Sequence, residues 1–545
     1  MDFKVLFDTI YWELNVYYLQ PNILQNLRNI KKICKKWNLF WIYDKIIRLD
    51  INTDKIIPNG KIFSLKNLNN IKYLNFNKNN YVNDLNLCES LLYLCCENTN
   101  ISEIPETLNY LEELYCNNCE NLRKIPEIKT LNILDCGKNI SEIPETLNCL
   151  EELYCYSCKN LKKIPNIKTL KILNCGNTKI NKIPETLDCL EELNCFYCKN
   201  LRKIPEIKTL KKLDCCYTKI SEIPETLNCL EELYCRHCKN LRKNPEIKTL
   251  KKLYCWNTNI SEIPETLNCL EELDCDECRN LIKILEIKTL KKLNCSLTKI
   301  VEIPETLNCL EELYCNNCEN LRKIPEIKMI KKLNCFNTNI REIPETLNCL
   351  EELYCGGCKN LIKIPEIKSL KKLYCGDTNI REIPETLNCL EELDCRLCKN
   401  LIKIPEIKTL KKLNCSYTNI IEIPETLNCL EELDCRLCKN LIKIPEIKTL
   451  KKLNCSYTNI IEIPETLDCL EELNCNWCLN LIKIPEIKTL KLLNCVHTNV
   501  SEIPETLNCL EYLNCRWCKN LIKIPEIKTL KKLDCNENII ISKPL

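Results

Sequence analysis

From Leu91 to Cys535 the apolar positions of the chain recur on a fixed count. One block reads Leu150-x-x-Leu153-x-Cys155-x-x-Cys158-x-Asn160-Leu161-x-x-Ile164-Pro165. The next reads Leu170-x-x-Leu173-x-Cys175-x-x-Thr178-x-Ile180-x-x-Ile183-Pro184. The two alternate at 20-residue spacing, so the segment IPETLNCLEEL at Ile143 returns, with small changes, every 40 residues as far as Ile503. Residues 382–421 are copied letter for letter in 422–461. Counting from the first leucine of a block, apolar positions four and six flank a polar position five. That period-two pattern predicts a short strand with Leu153 and Cys155 on one face and Tyr154 on the other. Ile164-Pro165 then turns the chain, because proline fixes φ and offers no donor. The residues left for the return are too few for a regular helix with a turn at each end, which predicts an extended or 3₁₀-like return. No block can bury its apolar row alone, so stability must come from stacking on neighbours.

These blocks resemble the leucine-rich repeat, LxxLxLxxN/CxL, with Cys at the sixth position and Cys or Thr at the ninth. Coils start at Leu91, Leu111 and Leu131 and then every 20 residues from Leu150 to Leu530. A divergent coil starts at Ile71 (Leu74, Phe76, Asn79), and Ile46–Ile57 has the makings of another. The resemblance implies an α/β-type solenoid, a horseshoe with a parallel β-sheet on its concave side and little regular helix on the convex side. Residues 66–545 form this solenoid of about 24 coils, and residues 1–65 stand apart from it.

In that first segment Ile23, Leu24, Leu27, Ile30, Ile33, Cys34 and Trp37 recur at helical spacing, and Pro21 suits a first helical turn. They predict a small helical domain capping the first coil. Ile23–Leu27 and Ile33–Trp37 also resemble the second half of an F-box, roughly LLxLRxVCKxW, although the leading Leu-Pro of that family is absent. The resemblance implies that Leu24, Leu27, Cys34 and Trp37 contact a ubiquitin-ligase adaptor. A plain helical cap is the alternative.

Composition narrows the function. The 545 residues include 48 cysteines but only six glycines and two histidines. His237 and His497 are 260 residues apart and cannot share a site. P-loop, GxSxG and HExxH motifs are missing, so the expectation is a protein that is not an enzyme and carries no cofactor. Asp8 and Glu13 interrupt what would be the apolar part of a signal peptide, and no apolar run is long enough to span a membrane. An intracellular, cytoplasmic protein is expected, with its thiols mostly free.

The register accounts for most of the sulfur. Twenty-three cysteines stand at position six, eleven at position nine and ten just before the first leucine, leaving Cys34, Cys88, Cys95 and Cys216. Positions six and nine point inward, where cysteine packs as a small hydrophobe. Equivalent sulfurs sit about 4.8 Å apart along position six and about 10 Å apart along position nine, poor spacing for disulfides. The recurring CxxC (Cys155, Cys158) faces no second pair in tetrahedral array, so packing is preferred to a thiol-based metal-binding role and no metal ligands are assigned.

The charges add registration rather than attraction. The net charge is +3, and Glu151-Glu152 in one coil faces Lys-Lys pairs such as Lys211-Lys212 in the other coil type. Acidic and basic strands lie side by side and cancel, so neither nucleic acid nor membrane is an expected partner.

Positions seven and eight vary where the frame does not. Two clusters there are rich in side chains that dominate interface energetics. The first is Phe196, Tyr197, Tyr217, Arg236, His237 and Trp256; the second is Tyr417, Tyr457, Trp477, His497, Arg516 and Trp517. They read as a two-lobed protein-binding surface, the alternative being drift at unconstrained surface sites. The expected function is a protein-interaction scaffold, with a ubiquitin-ligase substrate receptor and a thiol-based metal binder as alternatives. Leu530, Leu533 and Cys535 have no polar cap after them, which predicts end-to-end self-association.

Overall fold

The computed structural model describes residues 72–78, 85, 89–537 and 539–541, together with the backbone of 48–50. The helical cap and the F-box-like residues Leu24, Leu27, Cys34 and Trp37 lie outside the described residues. The chain divides into two compact units, 1–260 and 261–545.

Each unit is a parallel-sheet solenoid. In the first, strands from Arg48–Asp50 to Lys252–Tyr254 pair in parallel with the strand of the next coil, as in Leu153↔Leu173 and Leu233↔Leu253. In the second, the ladder runs from Glu272–Asp274 to Lys532–Asp534, as in Leu273↔Leu293 and Leu513↔Leu533. The strand Arg48–Asp50 pairs with Tyr73–Asn75, so sheet structure reaches into the segment before residue 66. The strands are three or four residues long because only positions three to five or six alternate before the chain turns. Among the described residues the return path is turns and extended chain with no helix. The helical half of an α/β-type repeat is therefore missing from these coils. A second short ladder joins Lys523–Ile524 to Ile540–Ile541, and Leu530, Leu533 and Cys535 are half-buried.

Within each unit the leucines of positions one and four and the cysteines of position six form buried rows, which end before the half-buried last coil; Leu350, Leu353 and Cys355, for example, are each at 0 % exposure. Burial pushes the Cys195, Cys315 and Cys475 thiols well above the ordinary range. Position nine has its own polar repeat. The Thr178 hydroxyl donates to the Cys175 carbonyl at 2.8 Å, and the Cys198 thiol of the following coil donates to the same oxygen at 3.2 Å. The arrangement recurs with Thr458 and Cys478 on the Cys455 carbonyl, at 2.6 and 3.1 Å. Threonine and cysteine alternate because one hydroxyl and one thiol fill the two lone pairs of a single oxygen.

One coil breaks the count. The coil starting at Leu131 is 19 residues long and lacks that threonine. There the Cys158 thiol donates to the Gly137 carbonyl at 3.1 Å and lies 4.0 Å from Cys136 Sγ. Distances taken along rows six and nine overlook this diagonal from six to nine. The ten cysteines before the first leucine, Cys149 to Cys509, are exposed, so packing does not account for them.

Candidate functional site

The outward face of the sheet is built from positions three, five and seven of each coil, with position eight at the end of the strand. Position two carries the charge ladder: each lysine meets the glutamate one coil earlier, as in Lys171–Glu151 at 2.6 Å and Lys451–Glu431 at 2.7 Å. Position three adds pairs such as Lys292–Glu312 at 3.0 Å and Lys452–Glu472 at 2.8 Å. Each pair is solvated and individually weak, and the pairs act by their number to bias the register of the coils.

From the coil at Leu111 onward position five holds Asn, Asp or Tyr. Where it is Asn or Asp, the side-chain oxygen accepts the position-seven N–H, as Asn194 does from Phe196 at 3.0 Å and Asp434 from Arg436 at 3.2 Å. Where it is Tyr, the ring lies over the sheet and the hydroxyl donates to a glutamate, as Tyr154 does to Glu152 at 2.8 Å. Burial, then that glutamate, pushes the Tyr154 phenol up to about 12. Tyr234 and Tyr254 stack at 4.8 Å, and Tyr354 and Tyr374 at 4.6 Å. Between such walls the small position-five residues leave troughs. One of about 360 Å³ covers Asn174, Asn194 and Asp214 between Tyr154 and Tyr234. Another of about 590 Å³ covers Asp394, Asn414, Asp434, Asn454 and Asn474. The position-five residues were missed in the sequence, although they vary from coil to coil just as positions seven and eight do.

Position eight is held in the left-handed region in nearly every coil, with φ of +60° at Tyr197, Tyr217 and Trp477 and +63° at Trp517. Its N–H is locked to the position-seven carbonyl of the next coil, as from Tyr217 to Arg236 at 2.8 Å and from Trp477 to Val496 at 2.8 Å. Asn satisfies this backbone in Asn98, Asn118, Asn177, Asn257, Asn317 and Asn337, and Gly in Gly357. Bulky side chains are disfavoured there by about 1–2 kcal/mol each. The sites are therefore constrained, and the aromatic residues occupy them against the backbone's preference.

The candidate residues gather within each unit. In the first, Phe196 lies 5.4 Å from Tyr217, Tyr217 stacks on His237 at 4.2 Å, and His237 meets Trp256 edge-on at 4.7 Å. The Arg236 guanidinium sits 4.9 Å above the Tyr254 ring. In the second, Tyr457 stacks on Trp477 at 5.5 Å and Trp477 on His497 at 3.8 Å. Tyr417 and Trp517 stand in the same row with no ring contact among the described residues, at 47 % and 64 % exposure. Arg516 turns to Asp534 at 3.5 Å. No three His, Cys, Asp or Glu side chains converge as metal ligands among the described residues.

No protein-family model matches the chain, and no curated protein matches it. Solved structures do. YopM from Yersinia enterocolitica, a leucine-rich-repeat protein, is similar with a TM-score of 0.50 at 19 % identity, over 90 % of this chain and 91 % of that one. The chain has the leucine-rich-repeat fold. The functional domain of InlJ from Listeria monocytogenes, described as including a cysteine ladder, aligns with a TM-score of 0.36 at 18 % identity over 70 % and 71 % of the two chains. The PEPR1–AtPEP1 structure aligns with a TM-score of 0.45 at 18 % identity over 86 % of each chain. Within the leucine-rich-repeat frame, the rows at positions five, seven and eight are the part of this chain that the frame does not dictate.

Proposed function

We propose that the chain is a non-enzymatic scaffold that recognises a protein partner on the outward face of its sheet, the concave side of a horseshoe in this reading. Two contact areas carry it, one around Tyr217, His237 and Trp256 and one around Tyr457, Trp477 and Trp517. The supporting observation is the run of aromatic side chains at the left-handed position eight, exposed and aligned at a backbone that favours Asn or Gly. Large rigid rings supply contact area at a small loss of conformational freedom, which is why such residues dominate protein interfaces. The troughs beside them have polar floors that can hydrogen-bond a partner's backbone. In this reading the protein acts inside the cell.

The test uses the frame's own alternative. Trp477→Asn with Trp517→Asn, and separately Tyr217→Asn with His237→Asn, place at position eight the residue that other coils already carry. Partners captured by the full chain and identified by cross-linking mass spectrometry are expected to be lost from one or both variants while the circular dichroism stays unchanged. Equal capture by both variants would remove the aromatic rows from the binding surface.

A further inference from the structure

Ten cysteines remain unexplained by packing. Cys149, Cys189 and Cys229 in the first unit, and seven more from Cys269 to Cys509 in the second, are exposed, whereas 35 of the other described cysteines are buried. They share position twenty of alternate coils. In the intervening coils that position is almost always threonine, whose hydroxyl is used: Thr209 donates to the Leu190 carbonyl at 2.8 Å and to the Asp188 carbonyl at 3.1 Å. The cysteines neither enter the core nor make such a bond. The frame thus accepts threonine at this position, and cysteine stands at every other coil without a structural task.

We propose that this row is a modification site for thiol–disulfide exchange with a small charged disulfide, glutathione disulfide. The Cys thiolate attacks one sulfur, the glutathione S–S bond breaks, and a protein–glutathione S–S bond forms. The second glutathione leaves as a thiolate and takes up the proton the cysteine gave away. Geometry makes the mixed disulfide the end point. Within each unit successive thiols are 40 residues apart in sequence, hence about 10 Å apart across two strands, and the coil between them offers no thiol at that position. A disulfide needs Cα atoms within about 7 Å, so no row cysteine can resolve its neighbour's adduct. The surroundings of nine of the ten are alike, a ladder lysine and a glutamate, whereas Asn132 replaces the lysine beside Cys149. Beside Cys349 stand Lys331, paired with Glu311 at 2.7 Å, and Glu351. Each adduct adds about one negative charge beside the position-two ladder. Full loading shifts the net charge from +3 to about −7, and excess glutathione reverses it.

The experiment treats the reduced full chain with glutathione disulfide, quenches in acid, alkylates the remaining thiols and maps the peptides. Mixed disulfides are expected at the ten row cysteines, with the sixth- and ninth-position thiols unreacted until guanidinium is added and a matching anodic shift on native electrophoresis. Replacing the ten by Thr, the residue of the intervening coils, is expected to abolish uptake in the row and the shift while the circular dichroism is retained. The proposal is overturned by an unmodified row in the wild-type chain, by equal modification of the buried thiols, or by row cysteines joined to one another. The wild-type map alone decides between these results should the ten-site variant fail to fold.

Discussion

At position eight a side chain with a Cβ crowds its own carbonyl; Gly removes that strain, and Asn offsets it because its short polar side chain can hydrogen-bond locally. Trp517 is the cleanest place to measure this, being exposed and without a ring contact among the described residues. Trp517→Asn is expected to raise stability by up to about 1 kcal/mol in thermal or denaturant unfolding while weakening partner capture. Loss of stability would show that the ring packs on the sheet and is not held out for a partner. Asn244 is the opposite case. It is 5 % exposed, its amide has no hydrogen-bond partner, and the equivalent position is Ile204 or Ile324 in other coils. Asn244→Ile is expected to stabilise by about 1–3 kcal/mol, read as a higher melting temperature, and an unchanged or lower one would mean the amide is satisfied in solution. Neither feature was legible in the sequence. The pattern of Asn and Tyr at position eight shows variation but not the sign of φ, and one Asn among isoleucines is invisible until burial is known.

At the scale of one coil, most of the structure was legible because 20-residue copies show which positions the frame fixes. The strand, the Ile-Pro turn and the absence of a helix on the return all follow from spacing. What spacing cannot give is contact between different positions of neighbouring coils. The Thr–Cys pair on one carbonyl and the Cys136–Cys158 approach both run diagonally from six to nine. The short coil at Leu131 shows how tight the stack is. A Cβ added at Gly137 would lie 2.5 Å from the backbone nitrogen of Asn118, an atom held in the preceding turn. Gly137→Ala is expected to lower stability by about 1–3 kcal/mol, seen as faster amide exchange over the flanking coils, because the turn must move to admit the methyl. Exchange unchanged in those coils would mean that the turn yields freely.

Over the whole molecule, small terms become large by repetition. The position-six thiols are held protonated by burial, so their folded-state pKa lies above that of a thiol in the unfolded chain. Their contribution to stability is complete below about pH 8.5 and is lost as pH rises, because the unfolded chain releases those protons first. A far-UV circular dichroism titration is expected to show a steep loss of sheet signal in alkali, moved to higher pH when several position-six cysteines are changed to alanine. A signal flat through the thiol range would contradict burial of the row. The ion-pair ladder and the leucine rows are the same from coil to coil, so what differs between coils is held mainly at positions five, seven and eight.

Brief alkylation of the native, reduced chain followed by peptide mapping bears on the whole account most directly. Among the cysteines of the described residues, labelling of the row from Cys149 to Cys509, with Cys155, Cys158 and their equivalents spared until the chain is unfolded, is the result the stacked-coil core requires. Labelling of the sixth- and ninth-position thiols as fast as the exposed row would contradict it.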